Sequence, residues 1–69
     1  MGTNQYMKLK QIGEQIKVME SAHVVGHMYI AYRKGARAAF EGGKKRLAKK
    51  YIYLARVAKR RWNELKLEN

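Results

Sequence analysis

Residues 36–51, ARAAFEGGKKRLAKKY, decide the fold, because they hold the only two adjacent glycines in this chain of 69 residues. Glycine readily takes the left-handed backbone conformation that ends a helix, so Gly42-Gly43 predicts a helix boundary. The flanking residues are good helix formers, and the sequence contains no proline. Two helices joined by a short turn are therefore predicted.

Apolar residues before this turn recur every three or four positions, as one face of an α-helix requires. The series runs through Leu9, Ile12, Ile16, Met19, Ala22, Val25, Tyr29, Tyr32, Ala36 and Ala39. It predicts a first helix over about residues 7–41. Gly26 is the best candidate for an interruption, since Ser21 could cap a separate helix and produce a three-helix arrangement.

A second helix, over about residues 44–66, is predicted by a similar apolar stripe after the turn. The stripe consists of Leu47, Tyr51, Leu54, Ala58, Trp62 and Leu65. At 100° per residue, the opposite side of this helix carries Lys45, Lys49, Arg56 and Arg60. The expected fold is a single all-α domain over residues 1–69, an antiparallel helical hairpin.

The longer first helix would extend beyond the reach of the second. Leu9, Ile12, Ile16 and Met19 would then lack an intramolecular cover and are the predicted surface for a protein partner. A fold of this size buries only about 60% of the surface that its unfolded chain exposes, so we expect stabilisation by another subunit or by self-association.

The net charge of +11 is concentrated in one half of the chain. Between Arg33 and Arg61, twelve basic residues face a single acid, Glu41, and the remaining residues sum to zero. A merely solvated helix face normally mixes both signs, whereas residues 44–61 contain no acid. The pattern favours binding to a polyanion. The predicted nucleic-acid contacts are Lys44, Lys45, Arg46, Lys49, Lys50, Arg56, Lys59 and Arg60.

Three aromatic residues lie among these cations and could stack on unpaired bases. Tyr51 and Trp62 fall on or near the apolar stripe, so core packing is the favoured interpretation for them. Tyr53 points away from the stripe and is the aromatic residue predicted to contact bases.

Catalysis has little support in the sequence. The chain contains no cysteine or aspartate, and Ser21 is its only serine. His23 and His27 have the spacing of two metal ligands on a helix, but Glu20 is the only nearby acid, so packing and hydrogen bonding are favoured over metal binding. We therefore expect a non-enzymatic protein without a metal or cofactor.

Membrane association is disfavoured by two features. The longest run without a charged residue, Ser21 to Tyr32, has twelve residues, whereas a spanning helix needs about 20. The apolar face of the basic helix is needed to pair with the first helix, which argues against an amphipathic helix lying on a membrane. With no recognisable signal sequence, a cytoplasmic (intracellular) location is expected.

Residues 47–60, LAKKYIYLARVAKR, resemble the second N-terminal helix of the zinc-ribbon protein subunit of archaeal and eukaryotic ribonuclease P. That family shows Leu-Ala, two residues, Tyr, then Leu-Ala and a basic end, after an alanine-rich helix and a short turn like residues 36–43. The resemblance implies a helical hairpin that binds catalytic RNA and another protein subunit, with a role in tRNA processing. The family's cysteine-bearing ribbon has no counterpart here.

The sequence thus predicts a non-catalytic RNA-binding subunit of a ribonucleoprotein, either ribonuclease P-like or an accessory ribosomal protein. Its RNA would be structured, and its partners would include at least one protein. A small DNA-binding or chromatin protein, dimeric through the apolar end, is the main alternative. A third hypothesis is a protein-interaction adaptor whose charge serves only to keep it soluble.

Overall fold

The computed structural model describes the backbone of residues 2–68 and the side chains of residues 8–68. Within this part of the chain, the protein is all-helical and contains no strand. Its three helices are α1 (Gly2–Lys17), α2 (Ala22–Glu41) and α3 (Lys45–Glu68). No helix over these residues combines the length and the apolar character needed to cross a bilayer.

In place of the single helix predicted over residues 7–41, the chain has three helices, as in the alternative arrangement, because residues 18–21 leave the helix and separate α1 from α2. The end of α1 tightens into i to i−3 hydrogen bonds, in which the amides of Val18 and Met19 donate to the carbonyls of Gln15 and Ile16. Ser21 then starts α2 as its N-cap, and its side chain accepts from the amide of Val24 at 3.3 Å. The cap expected at Ser21 is therefore present.

Gly26, the best candidate for an interruption, does not break the helix and lies buried inside α2. Its missing side chain makes room for an aromatic ring, since an added Cβ would lie 2.8 Å from the ring carbon Cε2 of Trp62. Gly13 lies against Tyr53, and Gly35 against Tyr51, in the same way. Each of these glycines lets an α3 aromatic approach a neighbouring helix backbone closely.

The turn at Gly42-Gly43 is confirmed as the end of α2. Gly43 has φ = 74°, the left-handed conformation that L-residues avoid. The amide of Gly43 donates to the carbonyl of Phe40, and the amide of Lys44 donates to that of Ala39 at 2.8 Å. This is a Schellman arrangement, which satisfies the last carbonyls of α2 and reverses the chain.

The helices form one layer with α3 in the middle. Gly26 and Gly35 of α2 face Trp62 and Tyr51, so α2 runs antiparallel to α3. Gly13 of α1 faces Tyr53, and further along the carbonyl of Met19 accepts from Arg61, so α1 runs parallel to α3. The Cα trace is flat, with extents of 39 × 26 × 13 Å along its principal axes.

The core is small because five of the nine buried apolar residues that the structure describes are alanine. The buried apolar residues are Ile16, Val25, Ala36, Ala39, Ala48, Leu54, Ala55, Ala58 and Leu65. The predicted packing of Tyr51 and Trp62 is confirmed: Trp62 packs against this core and Tyr51 stacks obliquely on Tyr32, with 6.3 Å between ring centroids. Few large side chains are available to stabilise the layer, so α1 contributes an essential part of the core.

The expectation that the predicted partner surface lacks an intramolecular cover is wrong. Ile16 is completely buried, and Leu9 and Met19 pack against the core. Ile12 remains 37% exposed. The reason is the break after Lys17, which lets α1 fold back along α3 instead of projecting past it.

Candidate nucleic-acid interface

The side of α3 that faces solvent carries a continuous row of cations. Its members, Lys45, Lys49, Arg56, Lys59 and Arg60, are all exposed. Positions 45, 49, 56 and 60 fall within about 60° on a helical wheel and extend over about 22 Å at 1.5 Å per residue. We call these five residues the α3 cationic row. Along this length, one strand of a duplex presents about six phosphates.

The other predicted cations lie at the start of α3. Lys44 and Arg46 are exposed, whereas Lys50 is half-buried. The carbonyl of Lys44 accepts the amide of Ala48, so Lys44 is the residue directly before α3 that accepts the first hydrogen bond of the helix. Lys44 and Arg46 follow Gly42-Gly43 closely in the sequence and extend the positive surface beyond the α3 cationic row.

Tyr53 does not point freely into solvent. Its ring and hydroxyl cover Gly13 of α1, where an added Cβ would lie 3.0 Å from the hydroxyl oxygen. The side chain is nevertheless 38% exposed and lines a groove of ≈520 Å³ together with Arg56 and Arg60. A base entering this groove would meet part of an aromatic ring next to two guanidinium groups.

Helix α2 adds a second group of cations, which were not among the predicted nucleic-acid contacts. Arg33 donates to the hydroxyl oxygen of Tyr29 at 3.3 Å, and Lys59 of α3 donates to the same oxygen at 3.5 Å. Both cations also lie over the Tyr29 ring, at 5.6 and 5.2 Å from its centroid. Tyr29 therefore joins the positive surfaces of the two helices.

A groove of ≈300 Å³ lies between α2 and α3 at this point. Its floor is made of Ala36, Ile52 and Ala55, and its rim of Tyr29, Arg33, Arg56 and Lys59. None of the described residues that line it is acidic. We call it the α2/α3 groove. The short side chains of Ala36 and Ala55 leave space between the positive charges of Arg33, Arg56 and Lys59.

The two tyrosines on α2 differ in acidity. Partial burial acts to raise the pKa of Tyr29, but the hydrogen bonds and positive charges of Lys59 and Arg33 outweigh it, so this pKa is lowered from the ordinary 10.0. The pKa of Tyr32 is raised, first by burial and then by the neighbouring Tyr51. The shift at Tyr29 reflects the positive potential at the α2/α3 groove.

The second groove, between α1 and α3, has a different lining. It includes Arg56 and Arg60 but also the acid Glu64, and we call it the α1/α3 groove. Arg61 here has a structural role: its side chain is 16% exposed, and it donates to the carbonyl of Met19 at 2.7 Å and contacts Glu64 at 3.4 Å. Arg61 ties the end of α1 to α3, whereas its neighbour Arg60 is exposed.

The ion pairs lie away from the α3 cationic row. Glu14 pairs with Lys17 at 3.5 Å, Glu41 with Arg37 at 3.4 Å, and Glu64 with Arg61. Among the described side chains, no carboxylate lies within ion-pair distance of any member of the row. The row is therefore charged, exposed and not neutralised by the acids that the structure describes.

His23 and His27 stack on one another on the exposed side of α2, with 6.0 Å between ring centroids. Over the described residues, no group of three or more potential ligands is placed to hold a metal ion. Stacking accounts for the i to i+4 spacing of the two rings without a ligand.

Comparison of the chain with protein-family models, with curated proteins and with solved structures gave no match.

Proposed function

We propose that this protein is a non-catalytic RNA-binding subunit of a ribonucleoprotein. The main support for this proposal is the α3 cationic row, which is exposed along one side of the central helix and has no described carboxylate paired with it. Uncompensated like charges repel each other, and a polyanion relieves this repulsion while releasing its own condensed counterions. Phosphate groups are the ligand that such a row fits.

RNA is favoured over duplex DNA by the exposed part of Tyr53. This ring lies in the same groove as Arg56 and Arg60, so an unpaired base could stack on it while its phosphates meet the cations. Unstacked bases occur in the loops and bulges of structured RNA, but they are not available in regular duplex DNA. Phosphate contacts alone do not discriminate sequences, so shape and unpaired bases would select the RNA.

A protein partner remains part of the proposal. Of the four apolar residues predicted to bind it, Ile12 is the exposed one, at 37%. A small core rich in alanine gives limited stability, and association with another subunit would stabilise the folded state by mass action. The assembly could be ribonuclease P-like or ribosomal, and both assignments rest on the sequence resemblance and the charge pattern.

The test is the salt dependence of binding by the variant K45Q/K49Q/R56Q/R60Q. For single-stranded RNA, each phosphate contact contributes about 0.7 to the slope of log K against log salt, so four lost contacts should flatten the slope by up to ~3 units. Helicity should be retained, because all four side chains are exposed. Fluorescence anisotropy over a salt series measures the slope, and circular dichroism checks the fold.

The choice of polymer is measured in the same assay with single-stranded RNA, hairpin RNA and duplex DNA. We expect RNA with unpaired bases to bind most tightly at equal salt. Tighter binding to duplex DNA would support the DNA-binding alternative instead. An unchanged affinity and slope in the quadruple variant would overturn nucleic-acid binding through this surface altogether.

A further inference from the structure

The α2/α3 groove contains an arrangement that the α3 cationic row does not explain. Arg33 and Lys59 both approach the single hydroxyl oxygen of Tyr29, at 3.3 and 3.5 Å. Their donor nitrogens are therefore less than about 7 Å apart, and no described carboxylate lies within ion-pair distance of either. The positive charges of Arg33 and Lys59 repel each other at this separation, and an anion between them would offset the repulsion.

Hydrogen-bond geometry shows which anion would fit. The Tyr29 oxygen accepts from Arg33 and Lys59, so its own proton is free to be donated outward. Both cations keep further N–H donors, and Arg56 stands on the rim of the same groove. Donors that converge from two helices suit a tetrahedral anion with several acceptor oxygens.

The α2/α3 groove is also wide enough to admit a small group between the two helices. Ala36 and Ala55 have short side chains that leave a depression of ≈300 Å³ between α2 and α3. Trp62 supports the Tyr29 ring from the core side, with 5.9 Å between ring centroids, and so fixes the position of its hydroxyl. A group that enters the groove therefore meets a donor held in place by packing.

We propose that Tyr29, Arg33 and Lys59 form a clamp for one phosphate group of the nucleic-acid backbone. The proposal rests on the proposed function and deepens it, because it assigns one phosphate to residues on two different helices. Binding through the α3 cationic row could slide along the polymer, whereas the clamp would fix the register of the strand on the protein.

The first test is the hydroxyl itself, in the variant Tyr29→Phe, with Tyr32→Phe as the matched control on the same helix. Y29F keeps the ring that packs on Trp62 and loses the hydroxyl, which is the donor to the phosphate and the acceptor that Arg33 and Lys59 share. Affinity for a single-stranded oligoribonucleotide should therefore fall by about threefold to tenfold. The salt slope should stay unchanged, since no charge is removed. Y32F should bind like the original protein.

The second test asks whether Arg33 and Lys59 share one phosphate. If they do, R33Q and K59Q should each weaken binding, and the double variant R33Q/K59Q should flatten the salt slope by about 0.7, one phosphate contact, rather than by about 1.4 as two independent contacts would. Both positions are exposed, so the fold should persist, and circular dichroism checks this.

The outcomes separate the clamp from the broader function. If the original protein shows no salt-dependent binding to RNA, the proposed function fails. If it binds, and Y29F and R33Q/K59Q both bind as it does, the clamp alone is overturned. A loss of about 1.4 slope units with no effect of Y29F also overturns it, since the two cations then contact separate phosphates.

Discussion

The α2/α3 groove and the α1/α3 groove flank the same helix and share Arg56, yet their charges are used differently. The α2/α3 groove is lined by Arg33, Arg56 and Lys59, and its described lining residues include no acid. In the α1/α3 groove, Arg61 is engaged by Glu64 and by a backbone carbonyl. Basic residues that look equivalent in the sequence therefore divide into those that hold the fold and those that remain available to a ligand.

The two interfaces of α3, with α2 and with α1, also differ in the aromatic side chain that packs against a glycine. Helix α2 approaches α3 over the rigid indole of Trp62, whereas α1 approaches it over the hydroxyl end of Tyr53. Glycine permits both approaches, but the rings differ in how easily they can move. The α2–α3 interface should thus be the less tolerant of added volume.

Replacing Gly26 by Ala tests this difference and should have the largest effect on stability. The added Cβ would lie 2.8 Å from Cε2 and 3.0 Å from Nε1 of Trp62, so ring or backbone must shift. We expect a loss of about 1–3 kcal/mol in the free energy of unfolding, as for overpacked cores. The free energy of unfolding is measured by urea denaturation, with circular dichroism as the signal.

Gly13→Ala is the matched control at the other interface. The new Cβ would meet the Tyr53 hydroxyl at 3.0 Å, and this end of the side chain can move outward. Alanine also favours the helix by up to about 1 kcal/mol relative to glycine. G13A should be near neutral or stabilising, and equal losses for both variants would remove the distinction between the interfaces.

Arg60 and Arg61 form a natural pair for separating structure from binding. Arg61→Gln loses the hydrogen bond to the Met19 carbonyl at 2.7 Å and should cost about 1–2 kcal/mol of stability. Arg60→Gln should leave the melting temperature unchanged and reduce RNA affinity. Thermal denaturation and anisotropy on both variants check this, and a loss of stability in R60Q would contradict the assignment.

Tyr53→Leu tests stacking in the α1/α3 groove while keeping an apolar side chain against Gly13. Affinity for single-stranded RNA should fall by about 1 kcal/mol, because leucine offers no ring for a base. The salt slope should not change. If affinity for single strands is unaffected, Tyr53 serves only to hold α1 on α3.

The smallest expected effect concerns the order in which two tyrosines titrate. Tyr29 should lose its proton at lower pH than Tyr32, since Arg33 and Lys59 stabilise the phenolate of Tyr29 and burial disfavours that of Tyr32. ¹³C NMR of the ring Cζ atoms follows both. K59Q should raise the pKa of Tyr29 and leave Tyr32 unchanged, and the reverse order of titration would contradict the account.

Local sequence patterns were sufficient to predict α3 and the turn before it. Of the stripe predicted from Leu47 to Leu65, Leu54, Ala58 and Leu65 are buried, whereas Leu47 is 40% exposed. The cations opposite the stripe follow from helical spacing alone, and Gly43 takes the conformation expected of it. The exposure of the α3 cationic row follows from the same pattern. These features depend on residues that are close together in the sequence.

The break between α1 and α2 was harder to predict because the apolar spacing continues across it. Ile16, Met19, Ala22 and Val25 keep steps of three although residues 18–21 are not helical. The signal of the Ser21 cap was present but was outweighed by this regularity. The loop stays in place through Arg61, which lies 42 residues away in sequence, and no local pattern reveals such a contact.

The α2/α3 groove depends likewise on the register between helices. Lys59 and Tyr29 are 30 residues apart, and they meet because Trp62 fits over Gly26. The repeat of Tyr29, Arg33 and Arg37 at intervals of four residues was the available signal for a cationic edge on α2. It could not be joined to α3 without knowing how the two helices pair.

The most direct test of the central claim separates the position of the charges from their number. K45Q/K49Q removes two lysines from the α3 cationic row, and K8Q/K10Q removes two exposed lysines of α1, so both variants have the same net charge. For single-stranded RNA, the slope of log K against log salt should flatten by about 1.4 in K45Q/K49Q and stay near that of the original protein in K8Q/K10Q. Equal flattening in the two variants would contradict the account, because overall charge rather than the α3 cationic row would then govern binding.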